Sequence, residues 1–304
     1  MAISRTQLVK ELEPGLNALF GLEYKRYENQ HAEIYVTESS DRAFEEEVML
    51  SGFANAQTKA EGSGVAFDSA QETYTARYTH DTIALAFAIT EEAIEDNLYD
   101  RISSRYTKAL ARSMSNAKQV KAVTPLIDGL PSTDSFDSGD GVSLFNTAHT
   151  TVSGTNVKNT LTTQADLNET SLEQSLIDIA AMTDERGLRI AARGVKMIIP
   201  SANQFTAERL MKSQGRTGTA DNDINAIGSM GMIPQGYRVN NYLTDSDAFY
   251  IITDVPNGMK MFQRAPLKTA IEGDFDTGNV RYKARERYSF GVSDYRGIFG
   301  VEGA

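Results

Sequence analysis

Along Thr73–His80 the larger and smaller positions alternate, with Tyr74, Ala76, Tyr78 and His80 on one face and Thr73, Thr75, Arg77 and Thr79 on the other. A period of two marks a half-buried strand. Together with Phe44 onward it predicts a long hairpin over 44–80. The tip, Asn55–Gly64, is small, polar and glycine-bearing, as a loop tip should be. Thr82–Ile89 alternates too, with Ile83, Leu85, Phe87 and Ile89 bulky and Ala84, Ala86 and Ala88 small. It predicts a strand covered on its bulky face and closely approached on its alanine face. Then the period changes. Ile94, Leu98, Ile102, Tyr106, Leu110, Met114, Ala117 and Val120 recur at threes and fours, one stripe of a helix. Thr90 offers the cap, Glu91 and Glu92 the acidic first turn, and Pro125 the stop. A helix over about 90–123 would be roughly 48 Å long, a spine more than a core element.

Either side of this centre the patterns are weaker. Pro14-Gly15 is expected to break any early helix. Leu16–Tyr27 is a short amphipathic piece that must lie on something else. After a loop-rich stretch, Thr170-Ser-Leu-Glu173 reads as a capping box. The helix it opens should bury Leu172, Leu176, Ile179, Ala180 and Thr183 and stop at Gly187. Val195–Ile199 reads as a strand ending at Pro200, and Ser201–Gln204 as a second capping box before a helix with Phe205 and Leu210. Ser213–Gly231 reads as one long polar loop. Strands close the chain at Tyr237–Asn240, Ala248–Thr253, Met259–Gln263, Val280–Phe290 and Ile298–Val301, with Asn257-Gly258 as a hairpin turn. The class is α+β.

Composition narrows the function. Lys and Arg number 30 against 41 Asp and Glu, a net charge of −11 over 304 residues. So acidic a chain is poorly suited to gripping phosphate backbones. The absence of cysteine excludes disulfides, thiolate catalysis and Cys-type zinc or iron–sulfur sites. No stretch reaches about 18 apolar residues, and Met1–Lys10 lacks a signal-like apolar run, so neither membrane nor export is expected.

Motifs for catalysis are missing. His31, His80 and His149 lie far apart, and no phosphate loop, dinucleotide fingerprint or nucleophile elbow occurs. Asp221–Asn225 begins like a calcium loop, but Ala226 and Met232 stand where the Gly and the bidentate Glu belong. Asp134–Gly141 reads as a solvated turn. No catalytic residue, metal site or cofactor is expected. What remains is charge. Glu45, Glu46 and Glu47 sit at the hairpin base, and Arg281, Lys283, Arg285 and Arg287 take every second position of one strand, all facing one way. Glu286 breaks the otherwise apolar opposite face. Four like charges in a row repel. Solvent, an acidic surface on another subunit (the Glu45–Glu47 hairpin included) or nucleic acid could offset this. Lys59 is the one lysine of the hairpin tip. Some shell proteins join such a lysine to a neighbour's asparagine, though no partner Asn and acid can be identified here.

The order of parts resembles the major capsid proteins of tailed bacteriophages with the HK-97-like fold, and in particular the Mu-type major head subunit family. The order runs from an extended arm through a long hairpin, strand and spine helix to an αβ region with a long loop and closing strands. Ala88–Asn97 resembles that family's lead-in to the spine helix. Leu144-Phe-Asn-Thr-Ala-His149, Asn156–Thr163 and Leu167–Met182 resemble its Phe-x-x-x-His, Asn/Thr-rich and helical sequence. The resemblance implies an N-terminal arm over 1–43, an E-loop over 44–80, a P-domain over 81–129 and 251–304, and an A-domain over 130–250. It implies hexamers and pentamers of an icosahedral shell, assembled in a host cytoplasm, that encloses phage double-stranded DNA without sequence-specific binding. Beginning at Met1, the arm leaves no room for the cleaved scaffolding segment of HK-97 itself, so a separate scaffolding protein is expected, with a portal and a decoration protein as further partners. An encapsulin-like nanocompartment enclosing cargo is the alternative.

Overall fold

The computed structural model describes residues 5–90, 92, 99–215, 223–274 and 278–304. Helix α1 (Arg5–Arg26) leads to a short 3-10 turn and strand β1 (Val36–Ser39). Strands β2 (Phe44–Leu50) and β3 (Glu72–Thr79) form the hairpin, and β4 (Asp81–Ile89) follows. Helix α2 (Tyr99–Asp128) is the spine. The middle of the chain gives the short strands β5 (His149–Thr150) and β6 (Asn156–Val157), helix α3 (Glu169–Ala181), β7 (Gly194–Ile199), α4 (Gln204–Lys212) and α5 (Ala226–Met230). Strands β8 (Tyr237–Val239), β9 (Phe249–Thr253), β10 (Met259–Gly273), β11 (Val280–Val292) and β12 (Ile298–Val301) complete it.

Two four-stranded sheets organise these elements, in the orders β1-β10-β11-β4 and β12-β9-β7-β8, with the β2-β3 hairpin apart. The main core joins the second sheet, α3 and the end of α2 through Leu126, Leu172, Ile179, Met197, Phe249 and Phe299, all essentially inaccessible. A separate small cluster lies beneath α1. There Leu16 and Phe20 meet Leu110, Ala111 and Met114 of α2 and Tyr282 and Ala284 of β11. Burying Leu16 and Phe20 contributes about 1.5–3 kcal/mol each. The amphipathic Leu16–Tyr27 piece therefore does lie on another element.

Several local expectations fail where packing overrides propensity. Helix α1 runs through Pro14 without a break, because its second half is anchored on α2. Pro125 does not end the spine. The helix continues to Asp128, drawn into the core by Val123, Leu126 and Leu130. Of the predicted stripe, Leu110 and Met114 are buried, whereas Tyr106 and Val120 are exposed. The buried face passes instead through Thr107, Ser115, Lys118 and Gln119, polar residues that no hydrophobic pattern would select. The predicted start of the spine, Glu91 with Ile94 and Leu98, lies outside the described residues. Helix α3 is capped by Asn168, whose side chain accepts from the Ser171 amide, two residues before the predicted box, and Ala180 is exposed. The predicted cap of α4 makes no side-chain bond, and Phe205 is exposed. Within the expected loop Ser213–Gly231, Ala226–Met230 is helical, and 216–222 lie outside the described residues. Asn257-Gly258 turns the chain between the two sheets instead of closing a hairpin. Strand β10 extends ten residues beyond its predicted end at Gln263.

Candidate assembly surfaces

The hairpin folds back onto the outer face of the first sheet. Ala76 and Tyr78, on one face of β3, cover Phe262, with the Tyr78 and Phe262 rings edge to face at 4.8 Å. The Tyr78 hydroxyl shares a hydrogen bond with Ser293. Gly291 makes this possible, since a Cβ there would stand 2.6 Å from the Tyr78 ring. His80, the residue between β3 and β4, is buried with its ring nitrogens 3.0 Å from the hydroxyls of Ser40 and Ser289. Burial and the nearby Arg287 lower its pKa. Lys260 Nζ donates to Glu47 at 2.6 Å and lies 3.2 Å from Glu38. Burial opposes its charge, but the two carboxylates outweigh burial and raise its pKa.

Each glutamate predicted as an inter-subunit group has a partner inside the protomer. Glu45 accepts from Ser40 and pairs with Arg42, Glu46 pairs with Arg77, and Glu47 holds Lys260. The strand alternation divides them: Glu46, with Phe44, Val48 and Leu50, is on the exposed side of the hairpin, and Glu45 and Glu47 are half-buried on the inner side. The hairpin remains an acidic arm, since residues 44–80 hold six acids against Lys59 and Arg77. Lys59 is exposed in its loop, and no partner for it is found among the described residues.

The basic row is present as the alternation requires. Arg281, Lys283 and Arg285 are exposed and Arg287 half-buried, on the same face that the hairpin covers further down the strand at Ser289 and Gly291. Opposite them on β4 stand Ala88, Ala86, Ala84 and Thr82. The alanine face of β4 is therefore open in the protomer, not closely approached. On the β10 side, Lys268 stands directly opposite Arg285 and Ala270 opposite Lys283. Sequence reasoning missed Lys268, because two register shifts in β10 between Gln263 and Lys268 set which residue meets Arg285. Arg281 pairs with Asp274, and the Arg287 Nε reaches the His80 carbonyl at 3.5 Å. Lys268, Lys283 and Arg285 make no ion pair among the described residues. Like charges set opposite each other cost a few tenths of a kcal/mol or more, so the strip is poised for an anionic cover.

The hairpin tip carries a second unmet need. Phe53, Val65 and Phe67 flank the small polar centre and are exposed, Phe67 at 98%. Leu50 is exposed as well, so the polar arm carries four uncovered apolar side chains on either side of its glycine-bearing centre.

Behind the sheet lies the helical layer. Glu286, the odd carboxylate of the inward face, is buried against Lys118 of the spine at 3.2 Å, with the Tyr24 hydroxyl at 3.5 Å. Burial raises its pKa in spite of Lys118, and its Oε1 has no hydrogen-bond partner. Elsewhere Arg296, 3% exposed at its side chain, pairs with Glu185 at 2.6 Å and Asp294 at 3.2 Å. His149 joins Asp140 at 2.6 Å and stacks on Tyr295 with ring centroids 3.8 Å apart. These groups bind one another. No group of three metal-capable side chains occurs among the described residues, and Asp221 of the calcium-like run lies outside them.

Comparison with known proteins follows the same lines. The family described as phage capsid protein matches residues 72–301. No curated protein matches the sequence. A structure from Mycobacterium phage Patience superposes with a TM-score of 0.56 at 12% identity, covering 99% of this chain and 89% of that one. The procapsid protein of bacteriophage JBD30 gives 0.55 at 13% identity, covering 99% and 77%. The capsid protein of the Myoviridae phage XM1 gives 0.53 at 10% identity, covering 89% and 90%. At such identities the likeness is one of fold.

Proposed function

From a chain that belongs to the phage capsid protein family, we propose a major head subunit that closes into hexamers and pentamers of an icosahedral shell around double-stranded phage DNA. The protein is a structural capsid component of HK97-like fold and not an enzyme. The observation that carries the finer reading is the hairpin, an acidic arm whose apolar end at Phe53, Val65 and Phe67 finds no cover in its own chain. The strip of Lys268, Lys283 and Arg285, without an ion pair among the described residues, continues the very face on which the protomer's own hairpin lies. A neighbour's hairpin of opposite charge fits it. Repeated head-to-tail contacts of this kind close into rings, and many modest contacts held at once act as one strong one.

In this reading residues 1–43 are the arm, 44–80 the E-loop, 81–129 with 251–304 the P-domain and 130–250 the A-domain. The Phe145 and His149 segment supports placement in the Mu-type branch. A separate scaffolding protein, a portal and a decoration protein complete the particle, which forms in the host cytoplasm. Electron microscopy of the purified protein tests the reading. Wild type should form rings, sheets or shells. Phe67→Asp, or Arg285→Glu with Arg287→Glu, should remain folded subunits that do not assemble. Shells formed normally by both variants would refute the docking, and a wild type that stays monomeric under all conditions would refute the shell.

A further inference from the structure

The first sheet and its helices make a two-layered slab, and the two sides of the slab differ. On one side lie the hairpin and the basic strip. On the other lie α1 and the spine. Along the outward face of α2, Arg105, Lys108 and Arg112 are exposed at intervals of three and four, on one ridge about 10 Å long. No acid is paired with any of them among the described residues. Several other exposed bases do find acids in their own chain, Arg77 with Glu46, Lys121 with Asp81, Lys212 with Glu208 and Arg238 with Glu33. The ridge borders a groove of about 540 Å³ between the two helices, lined by Lys108, Arg112, Ser113, Asn116, Glu23 and Tyr27. Glu23 does not answer the ridge, since it accepts from the Tyr27 hydroxyl and pairs with Arg26.

We infer that the Arg105–Lys108–Arg112 ridge is the surface that meets double-stranded nucleic acid, and hence that the helical side of the slab faces the interior of the shell. The inference rests on the shell reading above. The hairpin side has an answer for its positive charge in the acidic arm of another copy. The helical side has none among the described residues. A shell repeats the ridge at every subunit, so what covers it must be a polyanion present along the whole wall. A duplex meets this need, with one negative charge per about 1.7 Å of axis, recognised through phosphate alone and without regard to sequence. The net negative charge of the rest of the wall keeps the association weak and reversible, which suits a genome that must slide while it is packed.

The test uses unassembled full-length protein and a fluorescent 40-base-pair duplex, with affinity read by anisotropy across a salt series. Wild type should bind with a salt-dependent affinity. Arg105→Gln, Lys108→Gln and Arg112→Gln together should weaken binding at least tenfold and flatten the log–log salt slope by two to three, at about 0.9 for each phosphate no longer neutralised. Lys212→Gln, on α4 and outside both basic surfaces, should leave both unchanged. The triple variant should keep the wild-type melting temperature, and micrographs of the same preparations report shell formation separately. A triple variant with wild-type affinity and slope would overturn the inference while leaving the shell reading intact. So would binding of polyglutamate with no binding of the duplex. Failure of wild type to assemble, with DNA binding as expected, would count against the shell reading alone.

Discussion

Replacing Lys118 by Met isolates the forces that hold the helical layer to the sheet. Glu286 is 1% exposed and faces three elements, with Lys118 of α2 at 3.2 Å, Tyr24 of α1 at 3.5 Å and Tyr288 beside it on β11. The Lys118 ammonium also lies 5.1 Å from the centre of the Tyr288 ring. Met fills a similar volume, so the perturbation is chiefly the lost charge. Removing one member of a buried pair costs about 3–5 kcal/mol. Protonation of Glu286 limits the cost, because each pH unit between its pKa and the solution is about 1.4 kcal/mol. The sign follows from proton binding. The folded pKa of Glu286 is already raised, and further without Lys118, so the folded state binds more protons than the unfolded chain and loses stability as pH rises. The deficit of Lys118→Met should therefore be largest near pH 7.5 and smallest near pH 4.5. Thermal unfolding of the subunit at both pH values measures it, with a fall of roughly 6–10 °C expected at pH 7.5. Adding Glu286→Leu should restore most of the loss, since apolar replacement of a buried pair is often neutral or stabilising. A single variant within 0.5 °C of wild type at pH 7.5, or a double variant no better than the single, would refute the reasoning.

Two further expectations concern the joints around this layer. Gly291→Val should drive side-chain atoms into the Tyr78 ring and cost about 1–3 kcal/mol as overpacking, seen as faster hydrogen exchange confined to β2 and β3. His31 is pushed down to about 4, first by burial and then by Lys118, and its hydrogen bond with Gln119 at 3.0 Å offsets only part of this. Unfolded chains take up that proton near pH 6.5, so wild type should lose stability as pH falls from 6.5 to 4, by about 3 kcal/mol. His31→Gln should flatten this part of the stability–pH curve, and equal slopes for the two proteins would contradict the assignment.

Much of the frame could be read directly from the residues. The alternation of Tyr74, Ala76, Tyr78 and His80, the spine centred on Leu110 and Met114, the strand Val195–Ile199 and the outward row at Arg281–Arg287 are all local periodicities, and a period is carried by neighbouring residues alone. The order of these pieces sufficed to suggest the capsid fold. Tertiary structure decided what each face meets. It placed Lys268 opposite Arg285 through two register shifts, gave Glu45, Glu46 and Glu47 partners in their own chain, and matched Glu286 with Lys118 at a separation of 168 residues. It also carried α1 through Pro14 and α2 through Pro125, because burial of Leu16, Phe20 and Leu126 exceeds what local propensity withholds. The sequence by itself determined most of the elements and the two faces of the strands. Only the folded chain decided which charges are answered within one subunit and which are left for another, because that depends on distances between residues far apart in the chain.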